Sequence, residues 1–197
     1  MWSRGALAMT IFEHLSVLLS LILSLGIASL LLGVARLAQD WKRVVFSWPH
    51  ALWTLAIFLS QILFWLFAFR FHSFVKTSLI GLVMPIAMVT AVFLQGALVT
   101  PTIESGEAID LRAFHDTHRF QYLGAMLVYY LLFEGWTVHM ATLLPLQWTS
   151  YVLPVLFLAT TLVALVFKAR WVQVTGALLQ IALQLAAFPA LVDALNR

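Results

Sequence analysis

Glu134 is the first residue to account for. From Phe120 to Phe167 it is the only formally charged side chain, and the other titratable groups in that run are His139 and tyrosines. A carboxylate in so apolar a stretch costs several kcal/mol unless it is protonated, paired or wetted, so an acid at this depth marks a functional site by default. Its chemistry would be that of a proton or monovalent-cation site. His139 cannot be its partner within one helix, because five residues place it about 140° around the axis.

Amides are the next candidates. Gln61 lies at the centre of one apolar run, and Gln173, Gln180 and Gln184 lie in another. Their seven- and four-residue steps put the last three within about 40° of one helix face. With Thr90 and Gln95 they could line a polar seam leading to Glu134. The plainer meaning of such residues is hydrogen-bonded glue between helices, worth about 0.6 kcal/mol per contact.

Near the N-terminus, Glu13 and His14 precede Ser16, Ser20 and Ser24 at four-residue spacing, with Gly26 and Gly33 on another face. Small residues permit close helix approach. Glu13, His14, His72 and His139 are expected near one membrane face, a mouth of titratable groups on the Glu134 side. His115 and His118, beside Asp116, give a weak metal-ligand spacing with no third ligand close by. A haem between His14 and His139 is the other cofactor arrangement the spacing allows. No phosphate loop, nucleophile elbow or pair of catalytic carboxylates is present, and no cofactor is expected.

The elements that position these residues follow from composition. The chain is 63% hydrophobic and 10% charged, against roughly half and 25% in soluble domains. About 20 apolar residues cross a bilayer core, so 197 residues give one all-α transmembrane domain of six helices. Charge-free runs place them at about 12–37, 51–69, 77–99, 119–142, 148–167 and 171–192. The uncharged stretch from Leu15 to Ala35 is too long for a signal-peptide core, which makes it a retained first span. Spanning strands are excluded because runs such as LLSLILSLGIASLLLG do not alternate. Trp41, Trp48, Trp53, Trp148 and Trp171 fall near the predicted ends, as in an interfacial aromatic belt.

The segment ESGEAIDLRAFHDTHR, residues 104–119, reads either as a solvated loop or as a short interfacial helix with Asp110 as its cap. Six spans put Arg36, Lys42, Arg43, Arg112, Arg119, Lys168 and Arg170 on one side, and Arg4, Arg70, Lys76 and Arg197 on the other. The seven-to-four bias places the first set in the cytoplasm and both termini outside. The basic residues flank apolar runs, so they anchor helices rather than bind nucleic acid. Cysteine is absent, which removes thiol chemistry and disulfides. The two three-helix halves would be inverted relative to one another, so an internal repeat is a further expectation to check.

The opening FEHLSVLLSLILSLGIASLL, followed by WPHALW, resembles small multi-helix bacterial inner-membrane proteins with no assigned function. EHLS, Glu13 to Ser16, together with length and helix count, also resembles the start of bacterial six-helix potassium channels that lack a pore loop. The Phe-Ser-Asp triplet of that family is replaced here by Leu15-Ser16-Val17, so the resemblance carries no potassium selectivity. The sequence predicts a homo-oligomeric channel or transporter for protons or monovalent cations in the bacterial inner membrane. The alternatives are an accessory subunit bound to a partner membrane protein and a haem- or metal-dependent membrane enzyme.

Overall fold

A computed structural model describes residues 11–68, 79–102, 108–143 and 149–195. The fold is all-α, with six helices: α1 (Ile11–Gln39), α2 (Trp48–Ala68), α3 (Leu79–Leu98), α4 (Leu111–Leu143), α5 (Thr149–Val166) and α6 (Arg170–Leu195). Five of the six agree with the charge-free runs to within about three residues, as boundaries of this kind do. α3 stops just before Pro101, and α5 and α6 are joined by the tight turn at Lys168 and Ala169.

α4 departs from expectation. It begins at Leu111 rather than near residue 119, so the segment read as a loop or a short interfacial helix is the start of α4 itself. Asp110 is its cap: the carboxylate accepts the backbone N–H groups of Arg112 (2.8 Å) and Ala113 (3.1 Å). At 1.5 Å per residue its 33 residues extend about 50 Å, well beyond an apolar core of about 30 Å. The charged residues Arg112, Asp116 and Arg119 fall in its first turns.

Among the described residues, four helices are long and apolar enough to cross a membrane: Phe12–Gln39, Trp48–Ala68, Leu79–Leu98 and Arg170–Pro189. α5 is apolar but shorter over Val152–Val166, and α4 is diluted by its polar start. Outward-facing residues are themselves apolar, including Leu21, Leu25, Leu32, Leu79, Val166 and Trp171. Such a surface suits lipid better than water.

α2 is the hub, touching α1, α3, α4 and α6, while α3–α4, α4–α5 and α5–α6 complete a ring. α1 lies outside that ring along α3. It can approach closely because a Cβ on Gly26 would meet the Phe93 backbone at 3.1 Å, and one on Gly33 would meet Thr100 at 2.4 Å. The glycine face of α1 is therefore used within the chain, whereas Ser20 and Ser24 point outward. A three-plus-three repeat would make α4 pack on α6 as α1 packs on α3; α1–α3 is extensive and α4–α6 is not.

At one end of the bundle two connections are tied together. Val44–Val45 (β1) pairs in parallel with Ile109–Asp110 (β2), in the register Val44↔Ile109. That link holds the starts of α2 and α4 side by side.

Candidate functional site

Buried polar residues fall into two groups. The first sits where α2, α4 and α6 begin and α5 ends. The last carbonyls of a helix have no intrahelical donors, and here two side chains supply them. Gln173 Nε2 donates to the carbonyls of Ala164 and Phe167, both at 2.6 Å. Arg119 Nη1 donates to the same two oxygens at 3.2 and 3.1 Å. Gln173 Oε1 then accepts the indole N–H of Trp53 at 3.1 Å. Trp53 is thus not a belt residue: it is fully buried and tied to α6.

Against this cap lie His50, His115 and Tyr122. The Tyr122 hydroxyl is hydrogen-bonded to His115 Nδ1, and Gln173, Asp116 and Arg119 are also close enough to act on that imidazole. Burial pushes the His115 pKa below its ordinary value, which keeps the ring neutral. The His50 ring lies 6.4 Å from that of His115 and 6.5 Å from that of Tyr122, centroid to centroid. Both ring nitrogens of His50, and Nε2 of His115, are buried without a hydrogen bond.

The second group lies deeper. Gln180 Nε2 donates to the Tyr130 hydroxyl, and the Thr160 hydroxyl donates to Gln180 Oε1, which joins α4, α5 and α6. Gln95 Oε1 accepts from Ser60 at 3.1 Å. Gln61 Nε2 reaches the Val92 carbonyl at 3.4 Å and fills the space opposite Gly96. Several atoms here are left over: Gln61 Oε1, Gln95 Nε2, both amide atoms of Gln184, and Glu134 Oε2. Gln184 comes near the Tyr130 hydroxyl without a hydrogen bond of ordinary geometry.

Glu134 and Gln184 each lie one turn beyond a member of the Tyr130–Gln180 pair, on the same side in chain direction. Glu134 is half-buried, and no described residue forms a salt bridge with it. A half-buried carboxylate with one orphaned oxygen can hold a proton, or a cation reaching it from its exposed side.

Other expected site residues are not brought to Glu134. Glu13 and His14 are on the exposed face of α1, and α3 intervenes between α1 and α4. His14 and His139 are separated in the same way, so they do not frame a haem. His139 stays in its own helix beside Trp136, and His72 lies outside the described residues. His115 and His118 are on a helix, not in a loop, and turn apart: His118 stacks on Phe114 and bonds the Phe114 carbonyl. Asp116 is exposed. Among the described residues no group of three or more His, Cys, Asp or Glu could hold a metal ion.

Sequence reasoning overlooked His50, Tyr122, Tyr130 and Arg119. His50 lies just outside the charge-free run at 51–69, and its position one turn before Trp53 is the available sign that it faces inward. No protein-family model, curated protein or solved structure matches this chain.

Proposed function

We propose that this is a six-span integral membrane protein that passes protons or monovalent cations, with Glu134 as the ion site. The observation that carries the reading is the Glu134 carboxylate. One oxygen is buried without a partner, in a helix segment otherwise free of charge, one turn from the Tyr130–Gln180–Thr160 network. Gln184 and Gln61 supply spare amide atoms at the bundle interior. In this reading α4 and α5 span with the four longer apolar helices, the bacterial inner membrane is the location, and the bundle end that carries Lys42, Arg112 and Lys168 faces the cytoplasm. A second copy would pack against the outward serine face of α1, since its glycine face is already occupied.

The test is flux. Parent protein in lipid vesicles is expected to dissipate an imposed pH or potassium gradient faster than empty vesicles; equal rates in both assays overturn the proposal. Orientation is tested separately with single cysteines at Lys42 and Leu146 and an impermeant thiol reagent on intact cells. Labelling at Leu146 alone is expected, and labelling at Lys42 alone reverses it.

A non-transporting accessory subunit is the second reading, favoured by Gln173 and Gln180 acting as ties between helices. A partner protein would then cover the exposed side of Glu134, and it should co-purify with the parent but not with Glu134→Ala.

A further inference from the structure

The His50–His115 pair plays no part in the proposed ion site, and its chemistry is of another kind. His50 is 2% exposed and His115 3%, yet three of their four ring nitrogens have no hydrogen bond. Buried polar groups are nearly always satisfied, so orphaned nitrogens on two buried rings whose centroids lie 6.4 Å apart point to a third party between them. We propose that His50 and His115 form a two-histidine site for a soft monovalent transition-metal ion, copper(I), with Tyr122 as a positioning residue.

Three features select the ion. Imidazole is a good ligand for copper, and the chain has no cysteine to compete. The spacing fits a linear ion: two metal–nitrogen bonds of about 2.0 Å plus two ring radii span about 6 Å, against 6.4 Å between the centroids. The ring planes cross at 77°, which a linear ion tolerates because each ring is free to turn about its bond to the metal. Charge excludes the common competitors. Asp116 and Arg119 act on His115 with opposite sign, but among the described residues no carboxylate hydrogen-bonds either ring, so a divalent ion would sit in a dry pocket without an anionic ligand. A single positive charge between two neutral imidazoles carries a much smaller cost.

Tyr122 completes the arrangement from outside. A ligating histidine usually spends its other ring nitrogen on a hydrogen bond that fixes tautomer and orientation. When His115 Nδ1–H donates to the Tyr122 oxygen, the lone pair lies on Nε2, the orphaned atom. Phe114, edge-on to His50 at 5.5 Å, helps exclude water. The pair is held in place by the β1–β2 link, which fixes the start of α2 against the start of α4.

The test uses the full-length protein in detergent, titrated anaerobically with copper(I) against a chromogenic chelator. The parent is expected to take up one ion, with an X-ray absorption edge typical of two nitrogen ligands, and to melt at a higher temperature when loaded. His50→Ala and His115→Ala should each lose the ion and the melting increment. Tyr122→Phe should keep the fold and weaken binding by about 10–100-fold, whereas His118→Ala should bind as the parent does. Should a histidine variant fail to fold, the Tyr122→Phe and His118→Ala pair still decides. Absence of copper(I) uptake by the parent, uptake unchanged in both His50→Ala and His115→Ala, equal affinity in Tyr122→Phe, or preferential uptake of zinc would each overturn the assignment.

Discussion

Gln173 and Gln184 sit three turns apart on the same face of α6, both almost wholly buried, and they meet opposite circumstances. Gln173 uses both ends of its amide, on two carbonyls and one indole. Gln184 uses neither. The difference lies in the backbone around them. At the end of α5, carbonyls without helical partners are available to any donor within reach. Mid-bundle, most backbone groups are committed to their own helices, so a polar side chain must share a helix carbonyl, as Gln61 does with Val92, or find another side chain. Gln180 finds Tyr130 and Thr160; Gln184 and Glu134 do not. The cap end is thus built for rigidity, and the interior around Glu134 retains unspent polar capacity.

The largest expected effect is at the cap. Gln173→Leu leaves the Trp53 N–H buried without an acceptor and weakens the α5 cap, and it should cost about 3 kcal/mol. Thermal unfolding in detergent measures it; a melting temperature equal to the parent's would contradict the satisfied-cap account. Gly33→Ala places a Cβ 2.4 Å from Thr100 and should cost about 1–3 kcal/mol as α1 is pushed off α3. If it is instead neutral in unfolding but alters oligomer size, the glycine face belongs to a contact between copies. Asp110→Ala removes the α4 cap and should cost about 1 kcal/mol, visible as earlier hydrogen exchange over Arg112 and Ala113. Gln184→Leu is the smallest and sharpens the comparison most, since removing an unsatisfied amide of similar volume should be neutral or slightly stabilising. A loss as large as that for Gln173→Leu would erase the distinction between the two glutamines.

How far these features were legible depends on their range. The helices follow from charge-free runs, whose length and apolarity leave few other backbone arrangements, and the α6 glutamine stripe follows from helical period. Asp110 as a cap is likewise local. Tertiary choices were not legible. The glycine face of α1 shows that something approaches closely but not whether it is α3 or another subunit. Residues 111–118 carry charges that break the apolar pattern of a 33-residue helix, yet α4 begins there, capped by Asp110 and tied through Arg119 to the end of α5. Trp53 resembled an interfacial residue because the start of α2 lies near the bundle end; that β1–β2 and the α5–α6 turn meet at this end is a property of four separated segments. Glu134 stood out by type alone, but its surroundings on α4 and α6 required the fold.

Glu134→Gln tests the central claim most directly, with flux and melting measured on the same preparation. The amide keeps the shape and removes the ionisable group. Because no described residue pairs with the carboxylate, the account predicts a melting temperature at or slightly above the parent's, together with loss of proton or cation flux in reconstituted vesicles. Unchanged flux in a well-folded variant would contradict the ion-site assignment. A loss of roughly 3–5 kcal/mol in stability would contradict it differently, by revealing a buried cationic partner for Glu134.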